Sequence, residues 1–259
     1  MIERDYGCGD PSQYLRPGET VLDLGSGTGK ICFIASQVVG PKGRVIGIDM
    51  TDDMLSLARR AAAKVATNIG YANVEFRKGR IQDLALDLEK LNAELTGNTI
   101  SGLEGFFAAE QTAARLRSES PMVSSRSIDV VVSNCVLNLV DPNDKQQMFE
   151  ELFRVLKPGG RAVISDIVSS DDVPANLRDD PELWSGCISG TMREDKFLRA
   201  FAEAGFEPIR ILSRSQDPWQ NVKEIEFRSM TIEAIKYRPK ENTISYFTPR
   251  RKAINSSCC

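Results

Sequence analysis

The sequence contains no histidine among its 259 residues, and its formal net charge is only −3. Without histidine, Ser–His or Cys–His catalysis and every imidazole metal site are excluded. No cluster of Lys and Arg occurs in the first 235 residues, so neither a nucleic acid nor an anionic membrane is an expected partner. These absences favour a small-molecule substrate.

Long apolar runs are also missing. No stretch approaches the roughly 18 residues of a membrane span, and residues 1–5 lack the apolar core of a signal peptide. We therefore expect a cytoplasmic protein, monomeric and with no membrane partner. In a reducing compartment its six cysteines are predicted to be free thiols rather than a disulfide framework; they are Cys8, Cys32, Cys135, Cys187, Cys258 and Cys259.

Short β-branched runs alternate with longer amphipathic segments, which predicts an α/β fold with a mostly parallel sheet. Helices are predicted after a glycine-rich turn, over 52–68, over 145–156 and over 194–204. Seven strands are predicted, at residues 20–24, 44–48, 74–78, 128–133, 161–165, 207–212 and 224–235.

The glycine-rich turn runs from Asp23 to Gly29, with the sequence Asp-Leu-Gly-Ser-Gly-Thr-Gly between a buried strand and a helix. Glycine permits positive φ and lets a ligand approach the backbone, while the helix N-terminus offers free N–H groups. Asp49 ends the next strand 24 residues after Gly25, near the roughly 20 expected for a ribose-binding acid. The pattern predicts a nucleotide-type ligand at this turn.

The G-x-G-x-G spacing, with Asp23 two residues ahead of it, differs from the dinucleotide fingerprint G-x-G-x-x-G. Together with Leu-Lys-Pro-Gly-Gly at 156–160 and Ala-Gly-Phe at 204–206 it resembles class I S-adenosylmethionine-dependent methyltransferases. The resemblance implies a Rossmann-like, doubly wound sheet. It also implies that the loop receives the methionine part, Asp49 the ribose, and Met50, Ile81 and Gln82 the adenine. The cofactor-binding candidates are Tyr6, Asp23, Gly25, Ser26, Gly27, Gly29, Asp49, Met50, Ile81, Gln82 and Asn134.

On this basis residues 1–168 are expected to form the S-adenosylmethionine-binding domain. Residues 169–237 are expected to form a small C-terminal substrate-binding portion that completes the sheet, and 238–259 a disordered tail. The stretch 84–126 is too long for a simple connection and shows helical spacing of leucine and phenylalanine, which predicts a helical insert. The insert either covers a sheet edge or acts as a lid over the site.

Three further segments carry a more selective pattern: Tyr-Gly-Cys-Gly at 6–9, Ser-Asn-Cys-Val-Leu-Asn-Leu-Val at 133–140, and Leu-Trp-Ser-Gly-Cys-Ile-Ser-Gly at 183–190. In this order they resemble arsenite methyltransferases, over about residues 5–236. The resemblance implies that Cys8, Cys135 and Cys187 are the arsenic ligands and the catalytic residues. It also implies arsenic methylation, with an external thiol reductant of the thioredoxin or glutathione type restoring trivalent arsenic.

Soft-ligand chemistry agrees with this assignment, because trivalent arsenic prefers thiolates to carboxylates or imidazoles. Attack of the arsenic lone pair on a sulfonium methyl needs no protein base, so the missing histidine causes no difficulty. Catalysis would come mainly from proximity. A sulfonium cation nearby is expected to favour thiolate over thiol.

Alternatives remain open at this point. The chain could be an O- or C-methyltransferase for a small molecule, with buried structural cysteines, or a non-catalytic arsenical or cofactor sensor. Longer family members carry cysteines upstream of residue 6, so this chain either stalls after early methylations or lacks its authentic start.

The remaining cysteines and one tryptophan have their own interpretations. Cys32 is predicted to be a core residue. Cys258 and Cys259 are attributed to chance, and the alternative is that they capture arsenite. Trp184 is interpreted as a packing residue, and the alternative is that it closes the arsenic loop. No C-x-x-C spacing supports zinc, so no metal other than arsenic is expected.

Overall fold

A computed structural model describes residues 8–97, 102–178, 180, 183 and 186–238. Four residues with sequence-based interpretations, Tyr6, Trp184, Cys258 and Cys259, lie outside the described part, as does nearly all of the expected tail.

Helices and strands alternate along the chain much as the hydrophobic pattern predicts. The strands are β1 Thr20–Leu24, β2 Arg44–Asp49, β3 Val74–Lys78, β4 Ile128–Asn134, β5 Leu156–Ser169, β6 Met192–Arg193, β7 Phe206–Arg214, β8 Gln220–Val222 and β9 Ile225–Lys236. The helices are α1 Lys30–Val39, α2 Asp52–Ile69, α3 Leu88–Leu95, α4 Gly102–Glu119, α5 Lys145–Val155, α6 Ala175–Arg178 and α7 Glu194–Glu203.

The strands form one sheet in the order β3-β2-β1-β4-β5-β9-β7. The first five are parallel, whereas β9 runs antiparallel to both β5 and β7. The predicted Rossmann-like, doubly wound, mostly parallel sheet is therefore confirmed. Among the described residues two short strands are added to the predicted seven, with β6 pairing with β5 and β8 with β9.

Strand β5 is much longer than the predicted 161–165. Its part from Arg161 to Ser169 pairs with β9, with Arg161 opposite Ile235 and Ser169 opposite Phe227. A strand with a hydrogen-bonded neighbour on each side can continue beyond its most apolar stretch, which local composition does not reveal.

The core lies on both faces of the sheet, as expected for buried parallel strands. On one face α1 packs through Cys32, Ala35 and Val39, all essentially inaccessible to solvent, so the prediction that Cys32 is a core residue is confirmed. On the other face α5 and α7 pack through an aromatic cluster, in which the Phe149 and Phe201 rings lie 4.8 Å apart.

Two helices, α3 and α4, lie in the stretch interpreted as an insert. Helix α3 contacts the edge strand β3, and Arg59 of α2 holds Glu89 of α3 through two hydrogen bonds of 2.8 and 2.9 Å. Helix α4 packs against α3 through a small cluster that contains Ala113 and Leu116. These contacts place the pair at the β3 edge. Among the described helices none is both long and apolar enough to cross a membrane.

The strand order reverses between β1 and β4, because the chain moves outward to β2 and β3 on one side and to β5 on the other. Open α/β sheets bind ligands at the carboxyl ends of the strands that flank such a switch point. The glycine turn follows β1, and Cys135 follows β4. The sequence motifs thus meet where the topology opens a crevice.

Candidate functional site

The glycine turn between β1 and α1 is a compact, hydrogen-bonded loop. Ser26 N donates to Ile48 O at 2.9 Å, and Gly29 N donates to Ser26 O at 2.8 Å. Gly27 N donates to Oδ2 of Asp49 at 2.8 Å, so the acid predicted to bind ribose also anchors the loop. Its other carboxylate oxygen accepts from Thr51 N at 2.8 Å.

Two glycines of this turn show why it has the shape it does. Gly25 has φ +67°, and a Cβ there would lie 2.4 Å from a methyl group of Val136, so the loop after β4 packs directly on it. Gly27 also has positive φ, yet a Cβ there would meet nothing within 4 Å among the described atoms. One glycine therefore permits close packing, and the other leaves open space for a ligand.

Two buried polar atoms beside this space have no hydrogen-bond partner in the described part of the chain: Ser26 Oγ and Asn134 Oδ1. They lie at the carboxyl ends of the neighbouring strands β1 and β4. An unsatisfied buried polar atom costs about 1–3 kcal/mol, which a polar ligand would recover. These residues fit a polar cofactor such as S-adenosylmethionine.

Asp23 lies deep beneath the loop and is only 2% exposed. Burial, assisted by the negative charge of Asp49, raises its pKa to about 7, although a hydrogen bond from Cys32 Sγ at 3.2 Å acts in the opposite direction. Burial and the neighbouring Asp23 carboxylate in turn raise the pKa of the Cys32 thiol. A cation bound above Asp23 would favour its ionised form.

The predicted adenine contacts surround the carboxyl ends of β2 and β3. Met50 follows β2 and is exposed, and Ile81 is buried shortly after β3. Gln82 donates to Asp144 Oδ2 through Nε2 at 3.3 Å. Their roles toward a cofactor stay predictions, as does that of Tyr6.

The three predicted arsenic ligands come together, although they are far apart in sequence. Cys8 and Cys135 form a disulfide with a Cα–Cα distance of 6.0 Å, and Cys187 Sγ donates to Cys135 O at 3.3 Å. All three belong to one apolar cluster, which includes Ile167, Val173, Leu177, Ile188 and Phe227.

The prediction of free thiols is therefore wrong for Cys8 and Cys135. The reason is proximity: Gly9 brings the N-terminal segment close to β5 and β9, where a Cβ would lie 2.9 Å from Thr231 Oγ1. Two thiols at this Cα separation are within bonding reach. In the described ranges no group of three or more His, Cys, Asp or Glu could hold a metal ion.

Cys135 and Cys187 share an uncommon backbone conformation, with φ values of +56° and +62°. Residues other than glycine rarely adopt the left-handed region, and each such residue costs about 1–3 kcal/mol unless the surroundings hold it there. Such strain is concentrated at functional sites in proteins. Two of the three predicted arsenic ligands thus carry a structural sign of function.

The electrostatics of Cys187 differ from the expectation of a thiolate. Burial, followed by the nearby Asp166 carboxylate, raises the pKa of Cys187 to about 12. In the protein alone this cysteine is therefore a neutral thiol at pH 7.

Sequence reasoning missed a polar group beneath the cysteines. Asp166 of β5 is fully buried and accepts from Leu137 N and Asn138 Nδ2, both at 2.9 Å. Burial raises the pKa of Asp166 to about 6. The buried Lys145 has a pKa lowered to about 8, also by burial, and its Nζ donates to Gly190 O. A carboxylate within the otherwise apolar run of β5 is the signal that could have revealed this group.

A cleft of about 380 Å³ lies behind the loop that carries Cys187, between α5 and α7. It is lined by Lys145, Phe149, Gly190, Met192 and Lys196, among others. None of the predicted site residues that the structure describes lines it, so this cleft is separate from the crevice at the switch point.

The fold and this crevice define a class of protein. A family model described as a methyltransferase domain matches residues 15–205, and the chain belongs to that family.

Within it the chain is similar to arsenite methyltransferases. It is 38% identical to that of Halobacterium salinarum over 212 residues, which are 81% of this chain and 43% of the relative. It is 33% identical to that of Homo sapiens over 225 residues, 86% of this chain and 50% of the relative.

A solved structure shows the same likeness. An arsenic(III) S-adenosylmethionine methyltransferase from Chlamydomonas reinhardtii aligns with a TM-score of 0.63 and 28% sequence identity, covering 85% of this chain and 64% of that one. The chain spans about half the length of the arsenite methyltransferases it matches.

Proposed function

We propose that this protein methylates trivalent arsenic, with S-adenosylmethionine in the crevice at the switch point and arsenic bound by Cys8, Cys135 and Cys187. The observation that carries the proposal is the convergence of these three cysteines beside the glycine turn. The similarity to arsenite methyltransferases supports the same substrate.

Capture of arsenite requires the Cys8–Cys135 disulfide to be reduced first. Each of the three thiols then replaces one hydroxyl group of arsenous acid: an As–S bond forms, an As–O bond breaks, and the thiol proton leaves with the hydroxyl as water. This exchange releases no net proton. The raised pKa of Cys187 is therefore compatible with binding, because the product is a neutral complex suited to a buried apolar site.

S-adenosylmethionine, when bound, supplies an electrophilic methyl group on a sulfonium. On the protein side, the backbone of Gly25 to Gly29 and Ser26 Oγ are proposed to hold the methionine part, with Asp23 beneath it. Asp49 is proposed to bind the ribose, and Asn134 Oδ1 supplies a further acceptor. Met50, Ile81 and Gln82 are proposed to flank the adenine.

The role of the chain in catalysis is positioning. The loop after β4 carries Cys135 and packs through Val136 on Gly25 of the cofactor turn. Arsenic and cofactor would therefore be held on neighbouring loops, which gives a proximity effect. No general base is needed, in keeping with a sequence that has no histidine.

An external thiol reductant of the thioredoxin or glutathione type is part of this proposal. It would open the Cys8–Cys135 disulfide and return oxidised arsenic to the trivalent state. The cytoplasmic location, the monomeric state and the absence of nucleic-acid or membrane partners stay predictions.

One experiment tests the proposal directly. The reduced protein is incubated with arsenite, S-adenosylmethionine and a thiol reductant, and the arsenic species are separated by chromatography with elemental mass detection. We expect methylated arsenic to accumulate with time. Cofactor binding without any methylated arsenic would overturn the proposal and favour a sensor.

Cysteine variants identify the ligands. Cys135→Ser and Cys187→Ser are expected to abolish arsenite binding and methylation, because serine does not replace sulfur as a soft ligand. Cys32→Ser is the matched control, since Cys32 is buried like Cys187 but contacts Asp23 rather than the other cysteines. Equal loss in all three variants would indicate a general effect on folding.

A further inference from the structure

The two loops that carry Cys135 and Cys187 are joined by a buried polar group. Asp166 Oδ2 accepts from Leu137 N, and Asp166 Oδ1 accepts from Asn138 Nδ2. Asn138 Nδ2 also donates to Ile167 O at 2.8 Å. The turn directly after Cys135 is therefore held to the buried end of β5.

The second loop is held against the first. Gly190 lies so close to Asn138 that a Cβ on Gly190 would stand 1.8 Å from Asn138 O. Lys145 Nζ donates to Gly190 O, and Thr191 Oγ1 donates to Cys187 O at 2.8 Å. Asn138 thus stands between Asp166 and the loop of Cys187.

These contacts explain how both cysteines keep a left-handed backbone. Such conformations persist only where several interactions act together to hold them. At Cys135 the holding groups are the Asp166 carboxylate and the hydrogen bond from Cys135 N to Ser165 O at 2.9 Å. At Cys187 they are Thr191 and the Gly190 contact.

From this geometry we propose that Asp166 is a positioning residue, which holds Cys135 and Cys187 at the mutual spacing that a three-sulfur arsenic site requires. Lys145 completes the arrangement from the Gly190 side. The inference rests on the proposed arsenic site and names the groups that build it. Asp166 itself touches neither arsenic nor cofactor in this scheme.

The test is the isosteric variant Asp166→Asn. Each carboxylate oxygen accepts a hydrogen bond from a different donor, so an amide must turn its NH₂ group toward either Leu137 N or Asn138 Nδ2. In either orientation the amide NH₂ group faces another hydrogen-bond donor, so one of the two hydrogen bonds is lost. We expect the spacing of the two cysteines to relax while the apolar core around them stays packed.

Two arsenic compounds distinguish a change in the spacing of the cysteines from a general loss of protein stability. Arsenite needs all three sulfurs, whereas phenylarsonous acid has only two exchangeable hydroxyls and can use any close pair. For Asp166→Asn in the presence of a phosphine reductant, we expect the arsenite Kd to rise by about 10- to 100-fold, as for other residues that orient ligands. The Kd for phenylarsonous acid should rise by less than about threefold.

X-ray absorption gives an independent signature. Arsenite bound to the wild-type protein should show three As–S contacts, and arsenite bound to Asp166→Asn should show two As–S contacts and one As–O contact. Lys145→Met serves as a second variant that leaves Asp166 in place. It should raise the ratio of the arsenite Kd to the phenylarsonous acid Kd by about tenfold.

Glu19→Gln is the matched control. Glu19 is likewise a largely buried carboxylate, in an ion pair with Arg161 at 2.6 Å, but it lies at the amino end of β1, away from the cysteines. Its Kd ratio should stay unchanged. An unchanged ratio in both Asp166→Asn and Lys145→Met, or an equal rise in Glu19→Gln, would overturn the positioning role. Wild-type protein without three As–S contacts would instead overturn the proposed arsenic site on which it rests.

Discussion

Burial gives Asp23 and Cys187 properties that their residue types alone do not have. Asp23 is a carboxyl group with a pKa raised to about 7, and Cys187 is a thiol with a pKa raised to about 12. Both groups are therefore less charged at neutral pH than they would be in water. Each lies where a specific ligand is expected: a cationic cofactor near Asp23, and a neutral arsenic hydroxide near Cys187.

The raised pKa of Asp23 leads to a prediction about cofactor affinity. A cation binds the ionised form more tightly, so binding is linked to loss of the Asp23 proton and strengthens as pH rises through about 7. The affinity for S-adenosylmethionine is expected to rise about tenfold between pH 6 and pH 8 in the wild type. Isothermal titration calorimetry at both pH values measures this change.

Asp23→Asn is the control for this effect. The amide cannot ionise, so its pH profile should be flatter than that of the wild type, and its affinity at pH 8 should be the lower of the two. Parallel pH profiles for the two proteins would show that Asp23 is not the group linked to binding.

For single residues, the sequence predicted those that belong to recognisable local motifs. The glycines, Asp23, Asp49 and the three cysteines stand at fixed spacings in recognisable segments. Asp166 stands out locally only as a carboxylate in an apolar run. Its role and that of Lys145 depend on Asn138 and Gly190, which only the folded chain brings to them. The left-handed backbone at Cys135 and Cys187 likewise arises from tertiary contacts.

Between elements, the contact of the β1 turn with the β4 turn connects the two predicted sites. A methyl group at Gly25 would overlap the side chain of Val136 at 2.4 and 2.7 Å. Gly25→Ala is therefore expected to weaken both cofactor and arsenite binding, and to lower stability by about 1–3 kcal/mol through the positive φ. Binding titrations and chemical denaturation measure the two effects.

The double variant Gly25→Ala, Val136→Ala isolates the steric part. Removing the two methyl groups of Val136 should restore much of the arsenite affinity while leaving the backbone cost in place. The double-mutant cycle should then show a coupling energy of about 0.5–3 kcal/mol. Strict additivity would mean that the two turns act independently.

The helical pair α3 and α4 either covers the edge of the sheet at β3 or acts as a lid over the site, and substitutions in α4 distinguish the two roles. Leu116 is 3% exposed in the small cluster between the helices, whereas Leu103 of the same helix is 68% exposed. Leu116→Ala should cost about 2 kcal/mol, the low end for a buried leucine, because the cluster is peripheral. Leu103→Ala should change stability by less than about 0.5 kcal/mol.

Cofactor binding distinguishes the two interpretations of this insert. A cover on the β3 edge leaves the cofactor dissociation rate unchanged in Leu116→Ala, and the contacts of α3 with β3 support that role. Faster dissociation in Leu116→Ala but not in Leu103→Ala would support a lid. Stopped-flow displacement of the cofactor measures the rate.

Most elements were predictable because burial on both faces imposes long apolar runs on the parallel strands. The short strands β6 and β8 were not, since two or three residues carry no periodic signal. The extent of β5 was also missed, because its pairing with β9 comes from residues far along the chain. The antiparallel direction of β9 is a property of topology rather than of local sequence.

In the whole molecule, the sheet divides the proposed chemistry into two halves. The half formed by β1 and β2 carries the glycine turn and Asp49, while β4 and β5 carry Cys135 and Asp166. Cys8 reaches the second half from the N-terminal end of the described chain and Cys187 from the loop between α6 and β6, and they lie in one apolar cluster with Cys135. A nonlocal fold is therefore needed for the proposed arsenic site, whereas the proposed cofactor turn is built largely from residues 23–49.

This division predicts how the oxidation state of the protein affects each ligand. With Cys8 and Cys135 joined, two of the three proposed sulfurs are unavailable to arsenic, but among the described residues no hydrogen bond of the glycine turn involves them. The oxidised protein should therefore bind S-adenosylmethionine within about twofold of the reduced protein. Arsenite should bind only after a phosphine reductant has opened the disulfide.

Calorimetry of both ligands before and after reduction measures this difference, and Cys8→Ser provides the control because it cannot form the disulfide. Cofactor affinity in Cys8→Ser should be the same with and without reductant. Stoichiometric arsenite binding by the fully oxidised wild type would place the arsenic site elsewhere in the chain. A large loss of cofactor affinity on oxidation would instead mean that the contact between Val136 and Gly25 transmits the state of the cysteines to the cofactor turn.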